Sequence, residues 1–184
     1  MMQALAVTFC TVAAVSMTVD AAIDTLSFNH VTGLNERLYI KWRNYNTTTG
    51  NRCHSAQKNG GSDPHFYYTL RVQPENQTFL IPIRTNLTIV SDDTARYSFG
   101  PDYPEVVRTL IHVSSDNKCF LLSEQLTDGK TGCQLVQKES TIDNGIPNDC
   151  ENAYINNCGS EKVVLYQEKC KGLQDAPRQN RLHY

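Results

Sequence analysis

Histidines and cysteines are the side chains of this chain best equipped for chemistry, and their spacing sorts them into two groups. His30, His54, His65, His112 and His183 fall in no metal-ligand spacing, and no nucleophile motif of the G-x-S-x-G type is present. His54 beside Cys53 and His65 beside Pro64 read as loop or strand-edge residues. No catalytic residue, metal site or cofactor is therefore expected. The cysteines carry a different chemistry. Cys119, Cys133, Cys150, Cys158 and Cys170 cluster between Lys118 and Lys171, and Cys53 upstream makes an even six, which an oxidising compartment would join as disulfides. Cys10 stands apart, inside the apolar run of residues 4–15, which has signal-peptide length and is too short to span a bilayer. Small residues around Val19-Asp20-Ala21 allow a cut after Ala21, although Met1-Met2-Gln3 carries no Lys or Arg. Secretion is expected, with residues 1–21 as leader.

The elements that must position these cysteines read as strands. Phe120 to Leu122, turn residues Asp128-Gly129 and Gly132, and then Leu135-Val136 make a hairpin between Cys119 and Cys133. Pro147, Asn148 as N-cap and Gly159 punctuate a helix that carries Cys150 and Cys158. Val163 to Tyr166 then form a strand that delivers Cys170. Upstream, Ile23 to Arg37 is polar and mixed, a short helical turn across one end of the fold. Leu38 to Tyr45 alternates, with Leu38, Ile40 and Trp42 on one face and Lys41 and Arg43 on the other. Arg52 to Lys58 is a weak strand, and Asn59 to Pro64 a loop. Phe66, Tyr68, Leu70 and Val72 share one parity, as do Phe79, Ile81, Ile83, Leu87 and Ile89. Pro82 falls on the opposite parity and marks an edge, bulge or bend. Tyr97 to Phe99 and Val106 to Val113 complete eight or nine short strands with one late helix. There is no βαβ rhythm, so sequential antiparallel strands point to an up-and-down barrel or a two-sheet sandwich, the late helix favouring the barrel.

Bulk properties narrow the partners. The chain has 17 basic and 19 acidic residues, and a near-neutral balance argues against nucleic acid or an anionic membrane as partner. No later apolar run approaches the ~20 residues of a membrane span. What remains after the leader is one domain, 22–173, followed by a polar tail, 174–184, expected to be flexible. A soluble monomer is expected. Sequons at Asn46, Asn76 and Asn86 suit a secretory route and would mark solvent-facing positions. Asn86 lies on the parity opposite the apolar series, so both signals place the same side outward.

On these residues the chain resembles the tick salivary lipocalins, the group that includes the histamine-binding proteins. The likeness runs from Arg37-Leu38-Tyr39-Ile40-Lys41-Trp42-Arg43-Asn44-Tyr45 with Cys53, through Lys118-Cys119 and Gly132-Cys133-Gln134-Leu135-Val136. It continues in Cys150-x-x-x-Tyr154-x-x-x-Cys158-Gly159 and closes at Tyr166-x-x-x-Cys170. The resemblance implies an all-β fold, an eight-stranded antiparallel up-and-down barrel with a short helix packed on its side before the last strand. It also implies a small host molecule in the barrel and the pairing Cys53–Cys170, Cys119–Cys150 and Cys133–Cys158. The hairpin is compatible with that pairing, since a tip near Asp128-Gly129 puts Cys119 across from about Lys138.

The same resemblance bears on the ligand. Amine-binding members place an acid after the first strand cysteine and a Glu-Leu-Trp/Tyr triplet in the next strand. Here those positions read Cys119-Phe120 and Gln134-Leu135-Val136, so the carboxylates that would hold an ammonium are missing, and Glu124, Asp92 and Asp93 read equally well as solvated residues or as another site. The interior expected from parity is Leu38, Ile40, Trp42, Phe66, Tyr68, Leu70, Phe79, Ile81, Ile83, Leu87 and Phe99, an apolar set suited to an eicosanoid, fatty acid or sterol. Trp42 is expected as a floor plug, and Arg71 and Arg84 as outer, solvated charges. The expected function is a secreted, non-enzymatic lipocalin that sequesters a small apolar host mediator and so suppresses inflammation or immunity. Two alternatives stay open: an immunomodulator that binds a host protein or immune cell through outer loops, and a scavenger of histamine or serotonin.

Overall fold

A computed structural model describes residues 26–100 and 103–177. The expected leader with Cys10, and residues 178–184 of the expected tail, lie outside the described residues. In chain order the elements are α1 (Asn29–Thr32), β1 (Leu38–Arg43), β2 (Arg52–Ser62), β3 (His65–Gln73), β4 (Ile81–Ser91), β5 (Thr94–Ser98), β6 (Glu105–Val113), β7 (Cys119–Gln125), β8 (Thr131–Lys138), α2 (Asn148–Cys158) and β9 (Val163–Val164), followed by a 3-10 turn (Glu168–Lys171). Strands β2 to β8 pair antiparallel in sequence order, and β1 closes the ring by pairing with both β8 and β2. Closure removes the exposed edges that an open sheet of alternating strands would present. The expected eight-stranded barrel is the architecture of the protein, with β9 added outside β1 through Trp42↔Val164 and Arg43↔Val163.

Several boundaries differ from the sequence reading, each for a local reason. Asn59 to Ser62, expected as loop, extends β2, because Gly60 and Gly61 take positive φ and let the strand run into a tight turn. A Cβ on Gly61 would come within 2.4 Å of the His65 carbonyl oxygen. Cys170 sits on the 3-10 turn rather than at a strand end, since pairing stops at Val164. Cys119 faces Gln137, one residue from the expected partner. Gln174 to Ala176 fall in the expected flexible tail yet are tied to the barrel: Leu80 and residues 174 and 176 exchange backbone hydrogen bonds of 2.8 and 2.7 Å, and Ala176 is buried.

The late helix follows from three side chains spaced by four. Cys150, Tyr154 and Cys158 form one stripe of α2, and that stripe lies on the outer wall made by Cys119, Leu121, Cys133 and Leu135. Cys150 bridges to Cys119 on β7 and Cys158 to Cys133 on β8, so both ends of the helix are fixed to adjacent strands. Pro147 occupies the cap position and Asn148 is already helical, which shifts the start by one residue. Asp149 and Glu151 in the first turn complement the positive end of the helix dipole, and Gly159 at φ 79° ends it, its N–H donating to Ile155 O. The third bridge, Cys53–Cys170, spans 117 residues of sequence and sits in a separate cluster with Tyr39, Leu80, Ile142 and Tyr166. At one end of the barrel α1 packs Phe28 and Val31 into the inner cluster with Leu38, Phe66, Leu110 and Phe120, which is the expected turn across the end of the fold.

Candidate functional site

Beneath α1 the barrel holds a partly open chamber of about 90 Å³. Its walls are almost wholly apolar. Leu38 and Ile40 come from β1, Ala56 from β2, Tyr68 and Leu70 from β3, and Leu87 from β4; Tyr97, Phe120, Leu122 and Val136 line the other side, with Phe28 and Val31 as the lid. Outside it lies a polar hollow of about 750 Å³ that borders Tyr67, Arg84, Asn86 and Ser98 and shares Tyr68 and Thr85 with the chamber. The hollow exists because β4 pairs with β5 only from Thr88 to Ser91. Residues Ile81 to Leu87 therefore have a neighbour on one edge alone, β3.

Of the interior expected from parity, Leu38, Ile40, Tyr68, Leu70 and Leu87 line the chamber. Phe66 is buried in the same inner cluster without reaching the cavity. Ile81 and Ile83 sit further along β4, opposite Val72 and Leu70, and border neither. Phe79 precedes the strand and is half-buried, while Phe99 lies just past β5 with its ring edge-on to Tyr97 at 5.6 Å. Trp42 is on the wrong side of the wall for a floor plug. The β1–β8 register slips between Ile40 and Trp42, which turns the indole outward against Tyr154 of α2, ring centroids 5.6 Å apart, beneath the Lys162 ammonium. A one-residue slip exchanges the faces of a strand, so Arg43, expected outside, is buried and faces Gln134 across the ladder.

Sequence reasoning also missed the polar members of the wall. Cys53 adopts φ 53° and the β2–β3 register shifts beside it, and the resulting bulge brings His54 as well as Ser55 to the chamber. Arg108 from β6 lines it too, only 2% exposed, in an ion pair with Glu124 of β7. Glu124 also accepts from the Tyr45 hydroxyl, which in turn receives a 2.7 Å bond from Gln134 Nε2. Glu124 is thus an interior residue committed to Arg108, whereas Asp92 and Asp93 stay on the β4–β5 turn. Arg43 donates to Thr47 Oγ1 at 2.9 Å and lies 5.0 Å from the Tyr45 ring; among the described residues no carboxylate is within ion-pair distance. Burial lowers its pKa, with Tyr45 opposing and Arg52 and Arg108 reinforcing the shift, but a guanidinium remains charged at any physiological pH. Burial, aided by the charges of Arg43, Arg52 and Arg108 and opposed by a backbone bond at Asn51, pushes His54 down to about 4, so the imidazole is neutral at pH 7. Burial likewise pushes Tyr68 up to about 12.

The one His/Asp/Cys group with metal-like spacing among the described residues is His112, Asp149 and Cys150. Cys150 is bonded to Cys119, so it offers no thiolate. Arg71 pairs with Asp175 at 2.8 Å on the outer surface, and Arg84 is exposed. The three sequon asparagines, Asn46, Asn76 and Asn86, are all exposed, as a modified position requires.

Residues 27–172 match the family described as tick histamine binding protein. No curated protein sequence matches the chain. Among solved structures, japanin from Rhipicephalus appendiculatus bound to cholesterol is similar with a TM-score of 0.54 at 13% identity, over 73% of this chain and 95% of that one. The AM182 serotonin complex gives 0.57 at 17% identity, over 74% and 85%. The cockroach allergen Per a 4 gives 0.55 at 10% identity, over 73% and 87%.

Proposed function

The chain belongs to the tick histamine-binding protein family, a lineage of ligand-binding lipocalins, and from that premise we propose that it is a secreted carrier that sequesters a small apolar host mediator inside the barrel. The observation that carries this reading is the largely apolar chamber inside the barrel, a surface that gains free energy, about 25 cal/mol per Å², when an apolar ligand displaces water from it. Leu38, Ile40, Tyr68, Leu70 and Leu87 are its expected contacts. The bound cholesterol of japanin and the serotonin of AM182 set the two extremes of ligand chemistry in similar folds. For this chain the amine is disfavoured on electrostatic grounds. Phe120, Gln134 and Val136 occupy the positions that would supply acids and an aromatic, and all three line the chamber. Glu124, the interior acid near it among the described residues, is already engaged by Arg108. An ammonium would enter without a free carboxylate among the described residues and beside the Arg108 guanidinium.

Sequestration outside the cell, in support of suppressed inflammation, is consistent with three disulfides and with exposed sequons at Asn46, Asn76 and Asn86. Native mass spectrometry of protein secreted from eukaryotic cells, followed by organic extraction, tests the proposal. About one equivalent of a co-purifying lipid is expected. An empty barrel that captures neither lipid nor serotonin but retains a serum protein would replace it with the loop-docking alternative.

A further inference from the structure

We infer that the outer hollow is the seat of an N-linked glycan on Asn86, whose first N-acetylglucosamine lies against the ring of Tyr67. The inference is independent of what the chamber holds and shares with the carrier reading only passage through a secretory route. Transfer to the sequon Asn86-Leu87-Thr88 joins Asn86 Nδ2 to the anomeric carbon of an oligosaccharide carried on a lipid pyrophosphate; Nδ2 gives up one proton and the lipid pyrophosphate leaves. Two independent observations carry the assignment. The first is the setting of Tyr67. In the ladder it stands opposite Asn86 of β4 on one side and Gly60 of β2 on the other. Side chains so paired leave the same face of a sheet with their Cβ atoms about 5 Å apart. Here that face is the outer one, since Asn86 is exposed and Tyr67 is 57% exposed. Gly60 has no side chain to cover the ring, and a Cβ placed on it would meet nothing within 4 Å. An open aromatic face beside a sequon asparagine suits a pyranose, which can lay its C–H face on the ring and keep its hydroxyls in water.

The second observation is the hollow itself. Beyond Tyr67 and Asn86 it is bordered by Asn59, Arg84, Ser98 and Glu105, side chains that donate to or accept from hydroxyl groups. It also exposes an edge of β4. Leu80 directs both its N–H and its C=O to residues 174 and 176, and alternation along the strand turns the backbone groups of Arg84 and Asn86 to that same side. Among the described residues no strand lies beside them there. An open edge invites pairing with another chain, and a branched glycan rooted at Asn86 stands in the way of that approach. Asn46 and Asn76 are exposed sequon residues as well, but neither borders the hollow.

The test isolates one sugar. Protein carrying Asn46→Gln and Asn76→Gln is secreted from eukaryotic cells, occupancy of Asn86 is read by glycopeptide mass spectrometry, and an endoglycosidase trims the glycan to its first N-acetylglucosamine. That sugar is expected to raise the melting temperature by about 2–4 °C over the form that also carries Asn86→Gln, the shift that one aromatic contact gives a domain of this size. With Tyr67→Ser added, the rise is expected to vanish. An Asn86 peptide recovered without sugar, or a rise that survives Tyr67→Ser, would overturn the seat and leave the carrier reading standing. Retention of the wild-type chain inside the cell would overturn the secretory premise that both share. Should Tyr67→Ser not fold, the N-acetyl methyl proton of the trimmed protein decides: an upfield ring-current shift supports the contact, and the position seen in the free sugar overturns it.

Discussion

Acid should weaken this barrel measurably through one imidazole. His54 has a folded pKa of about 4 against an ordinary 6.5, so between those values the unfolded chain binds a proton that the folded protein refuses. A depressed histidine pKa gives stability that is fully present above the unfolded value and is lost as pH falls toward the folded one. With 1.36 kcal/mol per unit, lowering the pH from 7.5 to 4.5 should cost about 2.5 kcal/mol through this residue. For a domain of this size that is roughly 5–10 °C in melting temperature. Carboxylates also titrate near the lower limit. Asp143, whose pKa is lowered chiefly by its bond from Lys171 and then by that from Tyr166, loses its contribution as it protonates, but it does so in any variant. The measurement is therefore a difference: urea unfolding of wild type and of His54→Gln at both pH values. Wild type should lose about 2.5 kcal/mol more than the variant. Equal losses, or an NMR titration placing the His54 ring near 6.5, would mean that the bulge at Cys53 does not hold the imidazole inside.

Other perturbations follow from the same wall. Replacing Cys53 and Cys170 together with Ala opens a 117-residue separation and should cost about 4–5 kcal/mol by chain entropy; urea unfolding that moves by less than about 1 kcal/mol would contradict it. Arg108→Met strands Glu124 in the interior and should cost about 3–5 kcal/mol, whereas Arg108→Met with Glu124→Leu should recover most of that loss, as read by the same denaturation. Tyr154→Phe removes the 2.7 Å bond to the Glu161 carbonyl and should cost about 1 kcal/mol without moving the Trp42 emission. Tyr154→Ala should cost about 3–5 kcal/mol and shift that emission to the red. Because Trp42 packs under α2 rather than in the chamber, titration with a bound fatty acid should leave its fluorescence nearly unchanged; strong quenching would place the indole inside.

The legible part of this fold was its period. Alternation at Leu38 and Ile40, at Phe66 to Val72 and along β4 put apolar side chains on one face, and closing eight such strands produced the inner cluster. The three disulfides implied by the resemblance also form. Period gives the face of a residue but not its height along the barrel axis, which is why Ile81 and Ile83 share parity with Leu87 yet miss the chamber that Leu87 lines. Nor does a period announce where it breaks. Nothing in Ile40-Lys41-Trp42 signals the slip that sends the indole out and Arg43 in, and a cysteine at φ 53° is not a residue that composition would nominate for a bulge.

Those two irregularities set which side chains of β1 and β2 turn inward. Had β1 run on without a slip, Arg43 would face solvent and Trp42 would fill the space near Gln134. Had β2 kept its register, His54 would not share the cavity with Ser55. The Arg108–Glu124 pair of β6 and β7 would still face inward, but Arg43 and His54 would not be drawn in with it. Instead, the largely apolar wall carries Arg108, paired with Glu124, and three buried polar atoms without hydrogen-bond partners, on His54, Ser55 and Tyr68. Apolar area can set how tightly a ligand is held, but it discriminates poorly among molecules of similar shape. On the carrier reading proposed above, discrimination would come from those polar groups rather than from the apolar wall around them.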